Sequence, residues 1–395
     1  MSSSKIKKLT VCHIITRMIV GGAQENTLLT IIDHIEKGHN VVLITGESEG
    51  PEGELLKNKK FSDFRIITCK NLVRNLNIVK DIKAYYELKQ IILDLNPDVV
   101  HTHSSKAGIL GRVAANVVKV PFICHTVHGQ AFHRYEKAWK NYIYIHAEKW
   151  AAKKCDKIYA VAEAMIKQCV DAGVAPKEKY MTVYSGMELN NFVSSSKDKL
   201  SQLNLRQELS IPEDAKVIVT VARLFPLKGY EFLVPAAEII TEKFKNTYFL
   251  VVGNGIMMES IKKEVSDLGL NFIFVGLVPP DEVGRYISIA DFMIHLSLRE
   301  GLPRTIVQSL ACGKPAIAFD LDGAPEVIKN DRTGYIAEPE NYIQVAEYAI
   351  KLLNDEKLVK DMGENGRNLV CKQFSWRQMG DILEKEYEKG VREKI

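Results

Sequence analysis

No pair of cysteines in this sequence has the spacing of a zinc site or a disulfide framework. All seven stand singly, an odd number without a CxxC, which points to reduced thiols in a cytosolic chain. Long apolar runs are also missing. The basic start MSSSKIKKLTVCHIIT holds only a strand-sized one, and nothing approaches the ~18 residues of a membrane span, so a soluble or peripheral protein is expected. Charge of one sign is scarce, with 53 Lys and Arg against 49 Asp and Glu and a net charge of +4. That balance gives no reason to expect nucleic acid as a partner. The P-loop pattern G-x-x-x-x-G-K-[ST] is absent, which removes support for ATP hydrolysis.

What the chain does have is 395 residues, 46% of them hydrophobic. That is enough for two cores, since single cores stop growing near roughly 250–300 residues. Short β-rich runs (9–15, 40–46, 64–69, 98–103, 121–127, 157–162, 181–186) alternate with helical stretches (23–37, 80–95, 106–118, 135–154). The pattern lapses over 194–214 and restarts with runs at 217–223, 248–253, 271–276, 292–297 and 315–320. Apolar strands alternating with helices read as parallel βαβ units. The expected fold is therefore α/β, with two doubly wound, Rossmann-like domains at 1–193 and 215–375 joined by a linker at 194–214. A C-terminal helix, 376–395, is expected to pack back on the first domain. Ligands of such folds bind beyond the carboxyl ends of the strands, in the cleft that two facing domains make.

Polar and glycine residues cluster at those ends. In VARLFPLKG, Arg223 and Lys228 flank a turn into a helix, and two cations beside a helix N-terminus form an anion site suited to a diphosphate. VVGNG offers Gly253 and Gly255 without the third glycine of a dinucleotide fingerprint, so a plain turn competes with a nucleotide contact. GGAQ places Gly21 and Gly22 at the entry of the first helix, where either close ligand approach or simple helix entry explains them. In EGLPRTIVQ a helix is expected to start on Pro303 and stop at Gly313, with Arg304 and Gln308 on one face and Glu300 just ahead of it. A carboxylate for hydroxyls beside helix N–H groups for phosphate describes a sugar nucleotide site.

These motifs resemble the retaining GT-B glycosyltransferases of family GT4, whose signature is E-x7-E with an upstream R-x4-K. The resemblance spans nearly the whole chain through RLFPLK, EGLPRTIVQ, GGAQ, HTHSSKAGILGRVAA and HTVHG. It implies that Glu300 binds donor-sugar hydroxyls and that Arg223 and Lys228 hold the diphosphate. It places Gly21 and Gly22 near the phosphates and His128 against the sugar, while backbone N–H groups around Gly301, Leu302, Pro303 and Arg304 complete the phosphate cradle. The implied reaction moves a sugar from a UDP- or GDP-sugar to a glycan or lipid-linked acceptor in envelope polysaccharide or glycolipid synthesis, without a cofactor or metal. The second acid of the signature is here Gln308, an uncharged acceptor that implies looser donor binding, by about 1 kcal/mol. A sugar-nucleotide epimerase and a non-catalytic sugar-nucleotide-binding protein stay open as alternatives.

Other signals are read as structural. His101, His103, His125, His128 and His133 lack the third and fourth ligand spacing of a zinc site, and His103 and His128 are expected to hydrogen-bond in the cleft. Asp320 to Asp322 imitates a D-x-D metal motif, and Glu326 reads as a helix N-terminal acid. The basic aromatic helix at 133–157 is expected to bury a stripe of Ile143, Ala147 and Ala151. With Lys57, Lys59 and Lys60 in a nearby loop, peripheral contact at the inner face of a membrane stays open.

Overall fold

Seven parallel strands form the sheet of the first unit, which comprises Met1–Met187 and Trp376–Ile395. The computed structural model describes residues 8–47, 55–57 and 64–394; Lys59 and Lys60 lie outside these. The unit begins β1 (Thr10–Ile15), α1 (Gly22–Glu36), β2 (Asn40–Thr45), β3 (Arg65–Thr68), α2 (Ile78–Leu95) and β4 (Val99–His103). It continues with α3 (Ser105–Val118), β5 (Phe122–Val127), α4 (Ala138–Ala152), β6 (Lys157–Ala160), α5 (Glu163–Asp171) and β7 (Tyr180–Thr182). The strand order β3-β2-β1-β4-β5-β6-β7 puts a topological switch point between the carboxyl ends of β1 and β4.

The second unit, Glu188–Ser375, opens with two helices, α6 (Asn190–Ser195) and α7 (Lys199–Glu208). Then come β8 (Lys216–Val221), α8 (Tyr230–Lys243), β9 (Thr247–Val252), α9 (Met258–Asp267), β10 (Phe272–Gly276), α10 (Val283–Ser288) and β11 (Phe292–His295). The unit closes with α11 (Arg304–Ala311), β12 (Ala316–Phe319), α12 (Ala324–Val327), β13 (Gly334–Ala337), α13 (Tyr342–Leu353) and α14 (Glu356–Gln373). Its order is β10-β9-β8-β11-β12-β13, with the switch point between β8 and β11. The central strands are short apolar runs because both faces of the sheet are covered there, as Ile218, Phe249 and Phe292 are by α8 and α13. Aspartates at the strand starts accept main-chain N–H groups of neighbouring strands: Asp98 from Thr10, Asp156 from Ile123 and Asp291 from Val217.

The expected linker at 194–214 is not one. Its polar letters are the solvent faces of α6 and α7, whose Phe192 and Leu205 are buried and which pack on α10. Arg206 also donates to the carbonyls of Ile289, Pro212 and Ala215. The boundary falls instead between Met187 and Glu188. The four-residue β13 was not expected. The last helix, α15 (Trp376–Arg392), packs on the first unit, laying Met379, Leu383, Tyr387 and Val391 over Val11, Val99, Phe122 and Tyr159.

A further correction concerns α4. Only Ala151 and Ala152 are buried along it, while Ile143 is 53% exposed and Trp139, Tyr142 and Trp150 face solvent. The helix is held from its other side, where the buried Arg112 of α3 donates to Glu148 at 2.6 Å.

Candidate active site

The turn after β8 holds two left-handed residues, Leu227 at φ +68 and Gly229. Gly229, ahead of α8, has φ +80, and a Cβ there would lie 2.1 Å from the carbonyl oxygen of Leu296, so a side chain is excluded on both counts. The turn thereby lies against the end of β11, where the Leu298 N–H donates to the Leu227 carbonyl at 2.9 Å. This contact carries Lys228 across the switch point. Its Nζ lies 2.5 Å from Oε1 of Glu300 and 3.3 Å from Oγ of Ser297.

Glu300 is fixed on two further sides. Its N–H donates to the Asp322 carboxylate at 2.6 Å, and Asp322 sits at φ +51 in the turn after β12. Nε2 of His295 stands 3.6 Å from Oε1, beyond hydrogen-bond distance, while its Nδ1 lies 3.3 Å from Thr305 Oγ1. Burial works to raise the Glu300 pKa, but the ammonium of Lys228 and the His295 ring outweigh it and hold the carboxyl well below the usual range. With side chains 25% and 18% exposed, Glu300 and Lys228 remain within reach of a ligand.

Immediately beyond, α11 begins at Arg304 with Pro303 in the capping position and no side-chain cap. Proline therefore precedes the helix rather than starting it, and the helix begins four residues after Glu300. The Gly301 carbonyl accepts from the Gly323 N–H at 3.1 Å, tying the two loops together. Leu302 and Pro303 are buried, whereas Gly301 and Arg304 are partly exposed. A carboxylate, an ammonium and a helix start in one place can bind neutral hydroxyls and an anionic group side by side.

Other expected residues stand apart from this pair. Arg223 is exposed, its guanidinium 5.2 Å above the Phe225 ring. Gly253 and Gly255 lie under the same turn, where a Cβ would meet the carbonyl oxygens of Ala222 and Leu224 at 2.0 and 2.2 Å. They let the turn after β9 support the one carrying Arg223. Gln308, one helical turn beyond Arg304, is half-buried and its amide has no partner among the described residues.

In the first unit the histidines converge. His103 is buried, with Nε2 3.0 Å from His13 Nδ1 and Nδ1 3.0 Å from His128 Nε2. His101 is bound by Tyr387 Oη and Thr126 Oγ1, and His125 lies 2.9 Å from Thr102 Oγ1. Burial drives the pKa values of His13, His101, His103 and His125 well below the ordinary histidine value, so all four are neutral. His13, His101 and His103 could bring three ring nitrogens within 4.8 Å of one another, but those of His101 and His103 are already engaged with protein partners. Gly21 caps α1 in extended backbone, without a side-chain cap, and Gly22 begins the helix.

The sequence gives no reading for His13 and His295 as site residues, and it reads Asp320 to Asp322 as imitating a metal motif. The first two had one available signal, a histidine inside an otherwise apolar strand run, VCHII and FMIHL. Asp322 is the residue of the D-x-D sequence that holds the Glu300 backbone.

Comparison with known proteins covers both units. Residues 201–369 match the family described as Glycosyl transferases group 1, and residues 20–191 match Glycosyltransferase Family 4. A UDP-Gal:alpha-D-GlcNAc-diphosphoundecaprenol alpha-1,3-galactosyltransferase of Escherichia coli is 27% identical over 93% of this chain and 94% of its own. The capsular polysaccharide biosynthesis glycosyltransferase CapM of Staphylococcus aureus is 27% identical over 85% and 88% respectively. Among solved structures, Anabaena Alr3699/HepE in complex with UDP aligns with a TM-score of 0.80 at 17% identity, over 96% of this chain and 100% of that one.

Proposed function

This chain belongs to the group 1 glycosyl transferases of family 4, enzymes of GT-B fold, and on that premise we propose how its transfer reaction runs. The donor is a nucleoside diphosphate sugar, with UDP-sugars the first choice and GDP-sugars the second. The acceptor is a hydroxyl of a glycan or lipid-linked glycan, and the anomeric configuration is retained. The observation that carries this reading is the Lys228–Glu300 pair at 2.5 Å on the switch point between β8 and β11.

In this scheme Glu300, kept ionised by Lys228, accepts hydrogen bonds from donor-sugar hydroxyls. Lys228, Arg223 and the first-turn N–H groups of α11 neutralise the diphosphate as the bond from the anomeric carbon to its oxygen breaks. The acceptor oxygen bonds to that carbon on the face the diphosphate leaves, and a phosphate oxygen takes the acceptor proton. The products are a glycoside and the nucleoside diphosphate. Protein cations neutralise the leaving group, so chelation with EDTA is expected to leave the rate unchanged. Seven unpaired thiols support a reducing, cytosolic location.

The test is turnover with a panel of UDP- and GDP-sugars and lipid-linked acceptors, with the product anomer read by NMR. Lys228→Ala and Glu300→Ala are each expected to lower kcat about 100-fold or more with the fold retained. Near-normal turnover in both variants contradicts the proposal. An isomerised donor without acceptor product turns the reading to an epimerase, and donor binding without turnover to a sensor.

A further inference from the structure

Helices α2, α3 and α4 form a row on one face of the first sheet, α2 packing on α3 and α3 on α4. Each follows a strand of a parallel sheet and runs back along it, so all three start at the carboxyl edge. At that edge the starts of α2 and α4 expose what helices normally bury. Ile78 is 80% exposed and Val79 63%, after Leu76 in the preceding loop, and Trp139 is 61% and Tyr142 65% exposed, beside Ile143. These are periodic stripes. Ile78, Ile82 and Tyr86 follow at steps of four along α2, and Trp139, Tyr142, Ile143, His146 and Trp150 lie along one side of α4, with the His146 ring 3.9 Å from Tyr142.

The charge beside the stripes is mostly positive. Residues 74–90 carry four cations against two acids, and residues 134–154 carry six against two. One of those acids, Asp81, is already paired with Lys106 of α3 at 2.6 Å, and Glu136 is paired with Lys140. Glu148 points inward to Arg112. We propose that the face formed by the starts of α2 and α4 docks on an anionic lipid bilayer, with the aromatic and aliphatic stripes at the acyl boundary and the lysines at the headgroups. Among the described residues no helix is long and apolar enough to cross a membrane, so attachment here is interfacial. A second copy of the chain fits this face poorly, because a two-fold contact would set the same cation-rich stretches against each other. The inference adds a partner to the lipid-linked acceptor reading, but it stands or falls by itself, since binding needs neither donor nor acceptor.

Sedimentation of the full chain with extruded vesicles tests it, using phosphatidylcholine alone and phosphatidylcholine with 30% phosphatidylglycerol, in the absence of nucleotide sugar. Wild-type protein is expected to pellet with the anionic vesicles, with a blue shift of tryptophan emission, and to release as salt is raised. The Ile78→Ser/Trp139→Ser variant is expected to bind at least tenfold more weakly with an unchanged melting temperature. Lys80→Ser/Lys83→Ser is expected to weaken binding about fivefold per lysine. Three results overturn the proposal: no pelleting of wild-type protein, equal pelleting with both vesicle types, or a dimer in ultracentrifugation abolished by Ile78→Ser/Trp139→Ser without vesicle binding. Turnover of the same preparations is read separately, so a chain that transfers sugar without binding vesicles refutes only the docking face.

Discussion

At the scale of single residues, the proposed reaction divides the work on the donor between Glu300 and Lys228, and Gln308 tests how far that division extends. Its unpartnered amide lies on the α11 face that also carries Arg304. If it faces the nucleoside, Gln308→Glu replaces a neutral acceptor with a charged one and is expected to tighten donor binding by about 1 kcal/mol, roughly fivefold. Titration calorimetry with the nucleotide sugar measures this, and unchanged affinity removes Gln308 from the site. The buried histidines make a separate prediction. His13, His101, His103 and His125 have pKa values depressed by burial, as does His34, pushed down to about 4. Below about pH 6.5 the unfolded chain binds protons that the folded chain refuses, so stability present above that pH is lost as it falls. Each such histidine withdraws up to about 1 kcal/mol between pH 6.5 and 5.5. All three tryptophans, Trp139, Trp150 and Trp376, belong to the same unit as these histidines. The urea midpoint followed by tryptophan emission should therefore fall steeply over that interval, and a flat midpoint contradicts the neutral cluster.

At the scale of elements, the turn into α8 decides whether the site exists. Gly229→Ala forces a left-handed residue to carry a Cβ and drives it into the Leu296 carbonyl. It should destabilise the second unit by about 2 kcal/mol and weaken donor binding, because Lys228 is carried by the displaced turn. Calorimetric unfolding and donor titration check the two effects; a variant that melts and binds as wild type refutes the positioning argument. Much of this was legible in advance. Continuous apolar runs fixed the strands, their carboxyl ends located Arg223, Lys228 and Glu300, and Gly313 marked the stop of α11. The rest was hidden for physical reasons. The solvent faces of α6 and α7 look like a linker in composition, and α4 reads as an ordinary amphipathic helix because a pattern does not say which side faces the sheet. His295 and Asp322 support Glu300 through contacts distant in sequence or dependent on backbone geometry, which spacing does not encode.

At the scale of the whole chain, the C-terminal segment completes the unit with which the chain begins. The side chains of Met379, Leu383, Tyr387 and Val391 are buried against its core, and at about 1.5–3 kcal/mol each their sum is comparable with the entire stability of a domain. Tyr387 also holds His101, and Arg377 pairs with the buried Asp33. Ending the chain at Ser375 should therefore leave the first unit unfolded or aggregated, while 188–375, a compact unit with its own core, keeps a cooperative melting transition; a soluble truncated chain with native tryptophan emission would show that the helix is dispensable. The central claim concerns the second unit, and single-turnover transfer from saturating donor tests it most directly, comparing wild type with Lys228→Ala. The account predicts a rate about 100-fold lower in the variant with donor still bound, and equal rates would contradict it.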